Sequence, residues 1–139
     1  MVTNNDKLDQ RKKKALDLRR QGYNCSQAVV MAFPELIQGV DQNILAAMSV
    51  GLGGGVVGKG EICGCASSLA MLTGLKIWQA PTDKKEVYAE ARTLIDMFAE
   101  NNGALQCRDL KRPGARKTCK ELIEDAVTIM HHYLSEDRR

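Results

Sequence analysis

Glu61-Ile62-Cys63-Gly64-Cys65-Ala66-Ser67-Ser68-Leu69-Ala70-Met71-Leu72-Thr73 decides the fold of this chain. From Ala66 to Leu72 every position is apolar or small, so the stretch offers no charged face to water. A helix apolar all round belongs in the interior of its fold. The stretch predicts a buried central helix over about residues 61–73, ended by Gly74.

The flanking segments read as helices that would pack around it. Residues from about Asp6 to Gln21 carry Leu8, Ala15, Leu16 and Leu18 among strong helix formers, and Gly22 stops them. Asn24 caps a second helix, Cys25 to about Phe33, with Gln27 as its capping-box partner before Pro34. Asp41 caps a third, running to about Val50. Pro81 opens a fifth, with Val87, Ala91, Leu94, Ile95 and Phe98 at helical spacing; it runs to about Glu100 and is stopped by Asn101-Asn102-Gly103. A connector holds Cys107. Thr118 caps a last helix with Glu121 at its third position, and Leu122, Ile123, Ala126, Val127, Met130 and Leu134 line its inner face. No segment reads as a strand. The expectation is an all-α, single-domain bundle, residues 1–139, of five to six helices around a buried central one.

Composition narrows the function classes. With 139 residues, 44% of them hydrophobic, the chain can bury a core without disulfide staples. The net charge of +3 and the run Arg11-Lys12-Lys13-Lys14 read as a solvated helix face rather than a nucleic-acid surface. Aromatic residues, at 4%, are too few for a base-stacking platform. The polar N-terminal segment has no apolar targeting core, and no run is long enough to span a bilayer. Those features point to a cytoplasmic protein with no nucleic-acid or membrane partner. A disulfide framework is not expected in that compartment, and five cysteines cannot all pair within one chain.

The five are Cys25, Cys63, Cys65, Cys107 and Cys119. Cys25 and Cys119 fall in the first turns of predicted helices, where the macrodipole and unpaired N–H groups favour thiolate, the form that attacks disulfides and binds metals. Cys63-Gly64-Cys65 follows the loop Gly51–Gly60. If both cysteines were helical, two residues apart, their thiols would diverge; if the helix starts after Cys63, both can turn inward. Cys107 and Cys119 flank Pro113-Gly114 and can fold back on each other. Gly53, Gly55 and Gly58 match G-x-G-x-x-G, and Gly53 to Lys59 matches the start of a P-loop. A helix precedes them, however, and Gly60 stands where magnesium needs Ser or Thr. Gly53, Gly54 and Gly55 are better read as a flexible, N–H-rich loop beside the thiols. The adjacent His131 and His132 read as exposed side chains, and Trp78 as packing.

Together these residues resemble the bacterial and archaeal family named for the pattern Cys…Gly-Cys-Ala-x-x-Gly…Cys…Cys. Gly22-Tyr23-Asn24-Cys25-Ser26-Gln27-Ala28-Val29 is similar to its opening segment, Gly53-Gly54-Gly55 to its glycine loop, and Gly64-Cys65-Ala66 with Gly74-Leu75 to its central helix. Cys107-Arg108-Asp109-Leu110 and Cys119 resemble its two closing cysteines. The likeness spans about residues 12–134. Leu69 departs from it, standing where the pattern has its last glycine. Read from Cys63 instead, the register puts Cys65 at the alanine and Ser68 at the glycine. The resemblance implies an all-helical domain, a redox or iron–sulfur role, and kinship with a domain of split-Soret cytochromes.

The resulting expectation is one thiol-rich site. In the leading form Cys25, Cys63, Cys107 and Cys119 ligate an iron–sulfur cluster, or zinc, for electron transfer with a redox partner protein; Cys65 is the alternative ligand. In the second form the site is metal-free, and Cys25 and Cys63 are redox thiols exchanging with disulfides. In the third the cysteines are core filler, and a bundle face makes contacts such as a homodimer.

Overall fold

Local capping chemistry sets where the helices start. In the computed structural model, which describes residues 2–115 and 117–136, Thr3 caps α1 (Asn4–Arg20) and Asn24 caps α2 (Cys25–Val30). Asp41 caps α3 (Gln42–Val50), and Thr118 caps α7 (Cys119–Ser135). The Asn24–Gln27 and Thr118–Glu121 capping boxes form as the sequence predicts. Between them lie α4 (Gly64–Ile77), a 3₁₀ turn (Pro81–Asp83), α5 (Lys84–Asn102) and the single-turn α6 (Cys107–Leu110). Among the described residues there is no strand, only an isolated bridge between Ile62 and Gln106. No helix there is long and apolar enough to cross a membrane.

The central-helix expectation holds. Helix α4 packs on α2, α5 and α7. Ala66, Leu69 and Leu72 are fully buried, inside a core shared with Phe33, Phe98, Ile123 and Met130. Leu69 is thus a core residue, and Ser68, which stands at the glycine in the register read from Cys63, is buried beside it.

Several boundaries and environments differ from the sequence reading. Helix α4 starts at Gly64 rather than near Glu61, because residues 60–63 are paired with residues 105–108. It runs past Gly74 to Ile77: a Cβ at Gly74 would meet nothing, and its φ is not left-handed. The stop comes where Asp83 accepts the N–H groups of Gln79 and Ala80 ahead of the Pro81 turn. Helix α2 ends at Val30, short of Phe33: Met31 is its C-cap, and Ala32 N–H already turns to Val29 O ahead of Pro34. One helix more than the sequence predicts, α6, lies inside what the sequence reads as a connector. Trp78 is 51% exposed instead of packed.

The loop between α3 and α4 holds the least ordinary backbone. Gly54, Gly55, Val56, Val57 and Gly58 have consecutive φ values of 66, 74, 65, 46 and 77°. L-residues lose roughly 1–2 kcal/mol each in the left-handed region, and β-branched ones are true outliers there. The turn is held by Val57 N–H donating to Gly51 O at 2.7 Å and Gly60 N–H to Gly54 O at 3.0 Å. Val57 is 67% exposed, so burial does not repay its strain. Val57→Gly is therefore expected to stabilise the protein by about 0.5–1 kcal/mol, the relief of strain less glycine's extra entropy in the unfolded chain. An unchanged or lower urea midpoint would contradict that accounting.

Candidate functional site

Four helices begin at cysteines. Cys25 is the first residue of α2, Cys107 of α6 and Cys119 of α7; Cys63 is the N-cap of α4, and Cys65 is its second residue. All five, with Leu110, Lys111 and Leu122, line one cavity of about 10 Å³. All five are free thiols. The convergence expected of Cys25, Cys63, Cys107 and Cys119 is therefore present, and Cys65 joins them. Because α4 starts after Cys63, both members of the Cys-Gly-Cys pair turn toward the same space.

Hydrogen bonds fix each thiol-bearing segment. The Asn24 side chain donates to Val50 O at 2.8 Å and Gln27 donates to Ala46 O at 2.9 Å, so the start of α2 is tied to α3. Cys63 N–H donates to Leu105 O at 2.9 Å, and Cys107 N–H donates to Glu61 O at 2.7 Å. Arg108 pairs with Glu61 and donates to Gly60 O, closing the same junction. Ser68 bonds to Ser26 across the α2–α4 contact. That contact requires glycine at position 64: a Cβ there would lie 2.9 Å from the Cys25 Sγ and 3.0 Å from Leu52 O.

The thiols are electrostatically unequal. Cys25 is held at a pKa of about 6, chiefly by a hydrogen bond from Cys65, with further help from the Gly54 and Ser26 N–H groups and the Lys111 charge, against the cost of burial. Helix α4 has no conventional side-chain cap; the Cys63 sulfur instead faces the N–H groups of Cys65 and Ala66. A hydrogen bond from Cys65 and those N–H groups push the Cys63 pKa down, while burial and the nearby Cys25 oppose the shift. Cys65, wholly enclosed, is pushed well up because its proton serves Cys25 and Cys63. One S–H has one proton, so Cys65 can bond only one thiolate at a time. Burial raises Cys107, and Lys111 is raised by its hydrogen bond to Cys119.

Stability should follow these shifts. The fold ionises Cys25 at lower pH than the unfolded chain does, where the ordinary value is 9.0. Its contribution is complete above about pH 9 and is lost as pH falls through about 6. Cys65 has the opposite sign: the fold keeps its proton, a contribution present below 9.0 and withdrawn as pH rises further. Under argon, the urea midpoint is expected to climb between pH 6 and 9, then fall. Cys63 is lowered likewise and takes over the Cys65 proton when Cys25 is gone, so the climb should flatten in the Cys25→Ser/Cys63→Ser double variant; a climb of equal size there would sink this assignment.

Two groups depart from the sequence reading. His131 is buried, not exposed. Its Nδ1 accepts from Arg11 Nε at 3.1 Å, while the Arg11 guanidinium clasps Glu35 and lies 4.7 Å over the Phe33 ring. Burial, then Arg11, lower the His131 pKa, and this position lies outside the thiol cavity. Lys111 escaped notice in the sequence. Its signal was its place four residues after Cys107, the spacing that returns a side chain to the same side of a helical turn.

A helical fold that brings five free thiols from four helix starts to one cavity defines an all-α cysteine-cluster protein. The chain belongs to the family described as "Putative redox-active protein (C_GCAxxG_C_C)", which matches it over residues 23–133. No curated protein and no solved structure matches it.

Proposed function

We propose that the cavity is a dithiol/disulfide exchange centre with Cys25 as nucleophile and Cys65 as resolving thiol. The observation that carries this reading is the run of thiols Cys25, Cys65 and Cys63 on one cavity, in which the middle thiol is pushed up as the donor and the outer two are pushed down. The Cys25 thiolate attacks a disulfide RSSR; a Cys25–S–S–R bond forms, the S–S bond of RSSR breaks, and RS⁻ leaves. The Cys63 thiolate then takes the Cys65 proton. The Cys65 thiolate attacks the Cys25 sulfur, forms Cys25–S–S–Cys65 and expels the second RS⁻. Two thiols of the protein are oxidised by two electrons, and RSSR is reduced to two thiolates. Lys111, beside Cys119 and near Cys25, supplies positive charge where thiolates collect.

The number of thiols favours a second reading. Exchange needs two or three, and five line the cavity. Their chemistry suits a cysteine-ligated iron–sulfur cluster or zinc, with Cys25, Cys63, Cys107 and Cys119 as ligands, Cys65 as the alternative, and electron transfer with a partner protein as the role. The space as arranged, about 10 Å³, is small for a cluster, whereas a lone zinc ion held by thiolate sulfurs at about 2.3 Å needs no such void. Among the described residues, no group of three or more His, Cys, Asp or Glu side chains is disposed to hold a metal ion. The sulfurs would have to move apart to take a cluster.

Anaerobic purification followed by metal analysis, thiol titration and disulfide mapping separates the readings. The exchange reading expects a colourless protein that loses two titratable thiols on mild oxidation and yields a Cys25–Cys65 peptide pair. Stoichiometric iron with absorbance near about 400 nm would replace it with the cluster reading. Stoichiometric zinc without that absorbance would replace it with a zinc–thiolate site. Thiols inert to oxidation in metal-free protein would leave the cysteines as packing.

A further inference from the structure

We propose that the groove between α1 and residues 31–42 binds a small amphipathic organic anion, a carboxylate, sulfonate or phosphate carried on an apolar body. The inference is independent of the thiol chemistry. The groove encloses about 600 Å³, within the range of small-molecule sites and far larger than the cysteine cavity. Its apolar part comes from Met31, Pro34, Ile37 and Val40, its basic part from α1. Lys7, Arg11 and Lys14, at helical spacings of four and three, share one face of α1 and line one edge of the groove.

The charges do not cancel. Three cations meet one carboxylate among the lining residues. Arg11 is committed to that carboxylate, bonding Glu35 through both oxygens at 2.5 and 2.7 Å, with its side chain only 11% exposed. Its remaining contacts, His131 Nδ1 and the Phe33 ring, hold it as part of the wall. Lys14, and Lys7, whose charge also acts on Glu35, carry the remaining positive potential of the groove. A second hollow of about 310 Å³ shares Lys14, Met31 and Gln42 and continues toward Leu18 and Tyr23 past Asp17, whose carboxylate is paired with Arg20, giving length for an apolar body beyond one head group. An apolar floor under two ammonium groups recognises a ligand with both features, and neither an inorganic anion nor a neutral hydrocarbon supplies both.

The naphthalene sulfonate dye 8-anilinonaphthalene-1-sulfonate is a probe of this class, and its fluorescence reports binding to the full chain. Saturable one-to-one binding is expected, displaced by dodecanoate or dodecyl phosphate and unaffected by acetate or inorganic phosphate at equal concentration. A Lys7→Gln/Lys14→Gln variant, altered only on exposed helix positions, should weaken the dye at least about tenfold at low ionic strength. Val40→Glu, which places a carboxylate on the floor, should weaken it as much, with helical circular dichroism and thiol count unchanged in both. The proposal is overturned if the dye does not bind, if the lysine variant binds as the parent does, or if dodecanol displaces as well as dodecanoate. Displacement by inorganic phosphate alone would overturn it too, since the apolar body would then be irrelevant.

Discussion

Gly55→Ala is expected to cost roughly 2–5 kcal/mol and to disturb the thiol site some residues away. Two effects add at this position. Gly55 has φ +74°, where a side chain costs about 1–2 kcal/mol. A Cβ there would also lie 2.5 Å from both Glu61 N and Glu61 O, and 2.8 Å from the Gly60 carbonyl carbon. These are backbone atoms, with no rotamer to move them away, and overpacking of this kind adds about 1–3 kcal/mol. The displacement cannot stay local. Glu61 N–H donates to Gly55 O at 2.9 Å, and Glu61 O accepts from the Cys107 N–H at 2.7 Å, so moving Glu61 moves the start of α6. Gly58→Ala is the control. Gly58 has φ +77° but nothing within 4 Å of its Cβ, so it should lose the strain cost alone. Urea unfolding of both variants separates the two contributions. Equal losses would mean that the loop relaxes around the added methyl, and that Glu61 is not the rigid link between the glycine loop and Cys107.

The parts of this architecture that were legible in the sequence are those written in local chemistry. Asn24 with Gln27 and Thr118 with Glu121 are capping boxes whatever surrounds them, so the starts of α2 and α7 could be read, and with them the placement of Cys25 and Cys119. The apolar run at residues 66–72 needed an interior, so α4 could be read as the centre. What depends on contacts between distant segments was not legible. Residues 60–63 pair with residues 105–108, which delays α4 to Gly64 and lets Cys63 and Cys65 face one space; either segment alone leaves both registers open. The single turn of α6 is stabilised by that junction rather than by propensity, and it disappears into a connector when read alone. His131 and His132 are adjacent, and only the packing of α1 on α7 decides that the first is enclosed beside Arg11. Glycines marked this stretch as a loop, but nothing local announces that Val56 and Val57 take left-handed geometry within it.

Cys65→Ala is expected to raise the pH midpoint of Cys25 alkylation by iodoacetamide from about 6 by at least about one unit, because Cys65 is the largest of the influences holding that thiolate. The Gly54 and Ser26 N–H groups and Lys111 remain, so the midpoint should stop short of the ordinary 9.0. The midpoint is a better readout than the rate. A rise of one unit cuts the thiolate fraction at pH 6 about fivefold, but the more basic thiolate gains roughly threefold in intrinsic reactivity, leaving a net change of about twofold. Cys65→Ser keeps a hydroxyl donor in place and should recover part of the shift, which a mere packing defect would not allow. Cys63→Ser should not raise the midpoint, since it removes a competitor for the Cys65 proton. It should instead slow the second step of exchange, so that a Cys25 mixed disulfide accumulates where the parent protein proceeds to the internal bond. If Cys65→Ala leaves the Cys25 midpoint near 6, the glycine loop and Lys111 hold the thiolate by themselves, and Cys65 loses its place between Cys25 and Cys63 in the exchange.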